Sequence, residues 1–346
     1  LCPWILHMLS VQSDIYANAY IYLMIIFLGI PFTLLYNYLS SILRAVGDSR
    51  TPFIFLAFSA VLNIFLDLFF IVVAKWGCAG AAFATIASQA ISGILCLFVI
   101  IRRMKILWLS KENRVIKKDA IAELLQMGLP TGLQFSITAI GSVILQVAVN
   151  SLGSLSVAAV TAASKVLNFL ACPFDALGST MATYGAQNVG ASRYDRLNKG
   201  IYSASLMGFG YSLLAFGVAW FFGRSLTGLF VSGGSSAQLV ELAQTYMITN
   251  VLAYPLLTLV NVVRFMIQGM GFSMFAILAG VMEMAARSLA GMFLVPALGY
   301  FGAALGSPLA WVAADLFLVP AYFRCRRVLM SQSHHLHVMG ESAESN

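Results

Sequence analysis

Charge is what this sequence has least of. Asp, Glu, Lys and Arg together make up 10 % of its 346 residues, and only 13 of them are acidic. Soluble domains carry about 25 % charged residues, so a water-exposed globular surface is excluded. Histidine is scarcer still, with four residues and none inside a complete apolar segment. Without an HExxH or GxSxG motif either, an intramembrane enzyme has no nucleophile–base or metal constellation to build on, and no enzymatic activity is expected. Five cysteines (Cys2, Cys78, Cys96, Cys172, Cys325) lie scattered without CxxC or metal-ligand spacing. They read as small apolar packing residues.

What the chain has is hydrophobicity, 60 % of all residues. A spanning helix needs roughly 20 apolar residues. Segments of that kind lie at 15–42, 52–73, 79–101, 121–150, 155–183, 198–222, 238–263, 272–296 and 300–323, with residues 1–10 resembling the end of another. The fold class expected is therefore an all-α polytopic membrane protein.

The net charge of +7 raises the question of nucleic acid, but its placement answers it. Alternate connections gather Arg44 and Arg50, then the run from Arg102 to Lys118, then Arg193, Arg196 and Lys199, then Arg264, then Arg324, Arg326 and Arg327. The opposite connections hold only Lys75 and Arg224. The positive-inside rule then assigns residues 43–51, 102–120, 184–197, 264–271 and the C-terminus to the cytoplasm. The partner expected is the lipid bilayer of the cell (cytoplasmic) membrane, crossed several times, and no nucleic acid. The tail beyond residue 323, with His334, His335 and His337, is expected to be a solvated irregular end rather than a metal site.

The chain also repeats itself. Tyr22, Pro31, Asn37 and Gly47 recur as Tyr246, Pro255, Asn261 and Gly271, each 224 residues further on, and GCAGAA (Gly77–Ala82) recurs as GYFGAA (Gly299–Ala304) 222 residues on. Long internal repeats in apolar chains mark two-lobed transporters with the substrate handled between the lobes. Residues 1–101 read as the first lobe, 102–120 as a basic cytoplasmic linker, 121–323 as the second lobe and 324–346 as a cytoplasmic tail. Used as a ruler, the repeat projects the start of the second lobe and the motif GAQNVGA (Gly185–Ala191) to positions upstream of Leu1, by about 100 residues for the lobe. The expectation is twelve spans in two pseudo-symmetric six-helix lobes, with 9–10 of the twelve in this chain and an incomplete first lobe.

An ionisable group within a span costs several kcal/mol unless paired or hydrated, so each is a functional candidate. In LNIFLD, Asn63 and Asp67 are four apart and project from one helical face. Thr85, on the following antiparallel span, has a hydroxyl to add. A carboxylate, an amide oxygen and a hydroxyl suit Na⁺, a hard ion that seeks oxygen. The same carboxylate is equally suited to take up a proton, because burial disfavours its charge; a buried polar cluster cementing two helices is the plainer reading. Glu283 and Arg287, at i and i+4, are expected to neutralise one another or to line the substrate cavity. Lys165 and Asp175 are ten residues apart, too far to pair, and with Asp315 are cavity candidates. Gln134, Gln146 and Asn150 complete the polar cavity set.

At ILRAVGDSRTP (Ile42–Pro52), MGLPTGLQFS (Met127–Ser136), TYGAQNVGASRYDR (Thr183–Arg196) and the QGMG ending at Gly271, the chain resembles the multidrug and toxic compound extrusion (MATE) family of cation-coupled antiporters. The resemblance covers nearly all of residues 1–325, in order and spacing. It implies secondary active export of organic, mainly cationic, compounds by alternating access in exchange for Na⁺ or H⁺, by a monomer without a cofactor other than the coupling ion. It also implies that Asn63, Asp67 and Thr85 fall on the family's first-lobe cation site, whose other acid lies on a helix this sequence does not contain. Acids that some members carry on the seventh and tenth helices are not matched at depth here. The motif residues Arg44, Gly47, Asp48, Pro52, Gly185, Gln187, Asn188, Gly190 and Gly271 read as gating and topogenic hinges, with the glycines at sharp turns and the arginines paired to Asp48 and Asp195. The alternative function is a lipid-linked precursor flippase of the same superfamily, which would want an arginine-rich cavity.

Overall fold

In a bilayer every backbone N–H and C=O must find its partner within its own segment, and a long apolar run does so only as a helix. The computed structural model describes residues 2–8, 16–107, 115, 117–230 and 237–344, and among them it is helical throughout with no strand. The helices are α1 (Cys2–Met8), α2 (Tyr16–Ala45), α3 (Arg50–Leu68), α4 (Gly77–Arg103), α5 (Lys118–Asn150), α6 (Ser154–Gly190), α7 (Asp195–Gly228), α8 (Ala237–Leu252), α9 (Tyr254–Gly269), α10 (Ser273–Leu289), α11 (Val295–Leu298) and α12 (Tyr300–Glu344). Eight of the described spans are long and apolar enough to cross a membrane, and nine if the bent pair α8–α9 counts as one. The nine segments read from the sequence match them.

The chain divides into two compact units, Leu1–Val115 and Ile116–Asn346. In the first, α4 packs on α2 and α3 around Tyr36, Leu39, Leu43, Cys96 and Ile100. In the second, α6, α8, α9 and α12 surround the core, with α10 packed between α5 and α12. Close approach relies on small residues, as expected where lipid gives helices no hydrophobic reason to associate. A Cβ on Gly269 of α9 would run into the carbonyl oxygen of Ala182 on α6. Large outward apolar side chains such as Val72, Phe169 and Phe221 suit hydrocarbon rather than water.

The repeat is visible in the backbone. At the end of α2, Gly47 (φ +91°) donates to Arg44 O and Asp48 N–H to Leu43 O; at the end of α9, Gly271 (φ +92°) donates to Gln268 O and Phe272 N–H to Ile267 O. Both are Schellman caps in which a left-handed residue satisfies the last carbonyls. Each copy continues into a helix whose last turn widens into a π segment, Phe69–Val73 or Ala290–Leu294, and then to a glycine of positive φ, Gly77 or Gly299. Nothing lies within 4 Å of where a Cβ on Gly271 would stand, so only the left-handed backbone resists substitution there. Gly271→Ala is therefore expected to cost about 1 kcal/mol. Gly269→Ala, which must push α6 away, should cost more; the order of the two melting temperatures in detergent checks this.

The two copies differ at their shared proline. Pro31 lies inside the continuous α2, whereas Pro255 opens α9 after a 48° break at Ala253. Proline is tolerated in a first turn because its missing N–H is not needed there.

Four expectations need correction. Arg264 is not in a cytoplasmic connection: it lies within α9 with its side chain buried, because α9 runs on to Gly269 and the turn begins only at Met270. Of the motif glycines, Gly185 sits mid-helix against Met266 and Gly190 ends α6; the left-handed residue of that turn is Ser192 (φ +56°). Asp48 does not pair with an arginine. It accepts from the backbone N–H groups of Arg50 and Thr51 and from the Thr51 hydroxyl, which holds its carboxyl below the usual carboxylate range and closes the first turn of α3. Finally, α12 continues helically to Glu344 where an irregular tail was expected, since residues 331–344 contain no proline and a single glycine to stop it; the side chains of His334, His335 and His337 lie outside the described ones.

Candidate functional site

Two cavities carry the polar residues, one inside each unit. In the first unit, α3 and α4 run antiparallel beside α2 and enclose about 280 Å³. Its polar lining is Thr33, Asn37, Ser59, Asn63, Thr85, Ser88 and Gln89, with Tyr36, Leu56 and Ala60 between them. Asn63 and Thr85, on adjacent helices, thus meet in one space. Asp67 lies one turn beyond Asn63 and outside that lining. Its Oδ1 is buried without a hydrogen-bond partner, as is Nδ2 of Asn63. The Thr85 hydroxyl donates to Ala81 O at 3.0 Å, which leaves its lone pairs free to accept or coordinate. The Thr33 hydroxyl is engaged with Gln89 Oε1. Buried polar atoms without partners cost about 1–3 kcal/mol each, so Asn63 and Asp67 mark the place where something is wanted.

The lining offers neutral amide and hydroxyl oxygens, and the one carboxylate nearby is that of Asp67, a turn outside it. That set balances a single positive charge. Among the described residues no three His, Cys, Asp or Glu side chains gather as a divalent metal would need.

In the second unit a cavity of about 300 Å³ is lined by Ser142, Gln146, Ser164, Asn168, Asn250 and Ser307, walled by Tyr246, Tyr254 and Trp311 and by aliphatic side chains. No charged residue lines it. Gln146 is where the sequence placed it, and its amide donates to Asn150 Oδ1 at 3.0 Å on the same helix. Gln134 is not in the cavity but fully buried, accepting from Gln268 Nε2 at 2.9 Å. Lys165 and Asp175 are exposed on α6 and do not belong to its lining, with the Lys165 ammonium 5.6 Å from the Phe230 ring centroid. Asn188 donates to Tyr184 O within α6, and Pro52 lends its carbonyl to the Tyr36 hydroxyl. Arg193 pairs with Asp195 at 3.2 Å on the surface, as expected, while Arg44 donates to Ser41.

Glu283 and Arg287 do pair, at 3.2 Å. The same carboxylate also binds Arg264 from α9, so one buried acid neutralises two buried guanidiniums. Sequence reasoning missed Arg264 because the positive-inside count assigned it to a loop. A signal was available: Arg264 and Gln268 are four apart and share one face of the helix, with Asn261 a turn before them.

The MatE family model matches residues 1–69 and 130–285. The probable multidrug resistance protein YpnP of Bacillus subtilis is 32 % identical over 228 residues, covering 66 % of this chain and 51 % of its own length. The probable multidrug resistance protein YoeA of the same organism is 30 % identical over 203 residues, covering 56 % of this chain and 44 % of its own. The chain thus spans about half the length of the curated relatives it matches. Among solved structures, a MATE in complex with MaL6 superposes with a TM-score of 0.87 at 18 % identity, covering 95 % of this chain and 75 % of that one; at that identity the likeness concerns the fold.

Proposed function

Since this chain belongs to the MatE family, we propose that it works as a multidrug efflux transporter, exporting organic, mainly cationic, compounds by alternating access in exchange for Na⁺ or H⁺. The observation that carries the coupling is the first-unit cavity, where Asn63 and Thr85 meet one turn from the half-buried Asp67, whose Oδ1 is buried without a partner. One carboxylate with neutral oxygens accepts either ion. The names of the relatives YpnP and YoeA support drug export. Positive charge at the ends of α2 and α4 and at the starts of α3, α5 and α7 supports a cytoplasmic placement for those ends and for the C-terminus.

The precursor flippase is disfavoured by the second unit. Its two deep arginines, Arg264 and Arg287, are already held by Glu283, and the cavity wall offers no cation for a pyrophosphate.

The test is export of a fluorescent organic cation, read as its uptake into everted vesicles containing the protein, with an imposed Na⁺ or pH gradient. Efflux driven by one gradient and stopped when it is collapsed is expected. Binding of an anionic lipid precursor, with no gradient-driven movement of the cation, would reverse the ranking in favour of the flippase. Thr85→Val should raise the ion concentration for half-maximal efflux about fivefold, since one neutral ligand is worth roughly 1 kcal/mol. An unchanged ion dependence would remove Thr85 from the site.

A further inference from the structure

The mechanism above uses no group in the second unit, yet that unit buries an acid with no partner. Asp315 stands on α12, is only 8 % exposed, and neither of its carboxylate oxygens has a hydrogen-bond partner. Among the described residues none of the ion pairs reaches it. The elements packed most extensively on α12 supply the groups around it, among them Tyr254 of α9, whose ring stands 6.1 Å from that of Trp311 one turn from Asp315. From α9 comes Arg264 and from α10 Glu283, both within electrostatic range of Asp315, with Arg287 beside Glu283. From α8 comes Tyr246, within range of Arg287. The facing stretch of α5, Leu124–Asn150, and the segment from Ala290 to Leu298 contribute no titratable group.

With Glu283 shared by two arginines, the cluster carries one excess positive charge unless Asp315 is ionised. An ionised Asp315 lacks any donor as the side chains stand, and a charge buried without one is not sustained. Two arrangements therefore compete. In one, Asp315 holds a proton and Arg264 lies on Glu283, as seen. In the other, the proton leaves, Arg264 turns its guanidinium to Asp315, and Glu283 keeps Arg287, giving two separate pairs and no net charge. Arg264 is equipped for this, because its Nε is buried and unpartnered while its Nη2 holds Glu283.

We propose that Asp315 is a proton-binding site of the second unit, and that Arg264 changes partner between Glu283 and Asp315 as the proton binds and leaves. The step breaks and forms only the O–H bond of the Asp315 carboxyl, and the proton passes to water. The route out lies at hand: Trp311, one turn earlier on α12 or about 6 Å along the axis, forms part of the wall of the polar second-unit cavity. This site is separate from Asp67 and shares no residue with it.

The test is infrared difference spectroscopy of the purified full chain in lipid nanodiscs over a pH series, reading the carbonyl stretch of protonated carboxyl groups. A band that vanishes as pH rises is expected in the protein and in Asp67→Asn, and is expected to be missing once Asp315→Asn is added to Asp67→Asn. Asp315→Glu guards against a folding failure and should restore a band at shifted frequency. Arg264→Gln removes the counter-ion offered to the ionised form, so the midpoint of the band should move up by about one to three pH units. In the Asp67→Asn background, a band that survives the added Asp315→Asn change, or a midpoint unmoved by Arg264→Gln, would overturn the proposal. Because the reading needs no transport, it is independent of whether the efflux assay succeeds.

Discussion

Replacing Glu283 with glutamine should destabilise the second unit more than any other single polar change in it. The carboxylate is the shared counter-ion of Arg264 and Arg287, and all three side chains are 3–7 % exposed. Removing one member of a buried pair leaves an uncompensated charge at a cost of about 3–5 kcal/mol, and here two guanidiniums lose the same partner. Asp315 can take up Arg264 on ionising, which still leaves Arg287 without an anion. Against the 5–15 kcal/mol that typically separates folded from unfolded protein, such a loss is expected to lower the melting temperature sharply or to abolish recovery of folded protein in detergent. The triple change to Arg264→Met, Glu283→Leu and Arg287→Met should be far milder than Glu283→Gln alone, because apolar replacement of a whole buried ionic group is often neutral. A Glu283→Gln protein that melts with the wild type would show that the triad is hydrated and contributes little.

Asp67→Asn should abolish ion-coupled efflux while leaving membrane insertion and folding intact. Asparagine keeps the shape of the side chain and removes its charge. A charge-assisted ligand is worth about 1.5–3 kcal/mol, on the order of 100-fold in ion affinity at the upper end. The half-buried setting of Asp67, with an orphaned oxygen, gives the amide no compensating contact to lose. The measurement is the ion concentration for half-maximal efflux in everted vesicles, with the chain's yield in the membrane as control. Transport unchanged in rate and ion dependence would defeat the assignment of the first-unit site.

What the sequence made legible follows from what is local. Span positions came from runs of apolar residues, and the paired turns at Gly47 and Gly271 came from the 224-residue repeat, down to matching hydrogen bonds. Asn63 and Thr85 were legible as neighbours because consecutive antiparallel helices must pack. What stayed hidden depends on tertiary partners. Arg264 meets Glu283 across 19 residues and two helices, and although its spacing to Gln268 marks a polar face, nothing local names the acid that this face would meet. Gln134 looked like a cavity residue until Gln268, 134 positions away, was found holding it. The turn at Ser192 was misread because glycine was expected wherever a left-handed residue is needed, and two glycines stood close by. Proline, too, was ambiguous: Pro31 and Pro255 occupy equivalent positions, yet only the second accompanies a break.

That break sits where Asn250 and Tyr254 reach the second-unit cavity, on either side of Ala253. Helix ends leave carbonyls at one terminus and N–H groups at the other without intrahelical partners, so polarity there belongs partly to the main chain. Point mutation edits side chains and cannot edit peptide groups. Substitution at Asn250 or Tyr254, both buried and hydrogen-bonded to neighbouring helices, would alter the cavity wall and its packing, while the main-chain dipoles at the break pass unaltered to every variant that retains it. The polarity of that cavity wall is therefore set in part by a feature of the backbone that no side-chain replacement reaches.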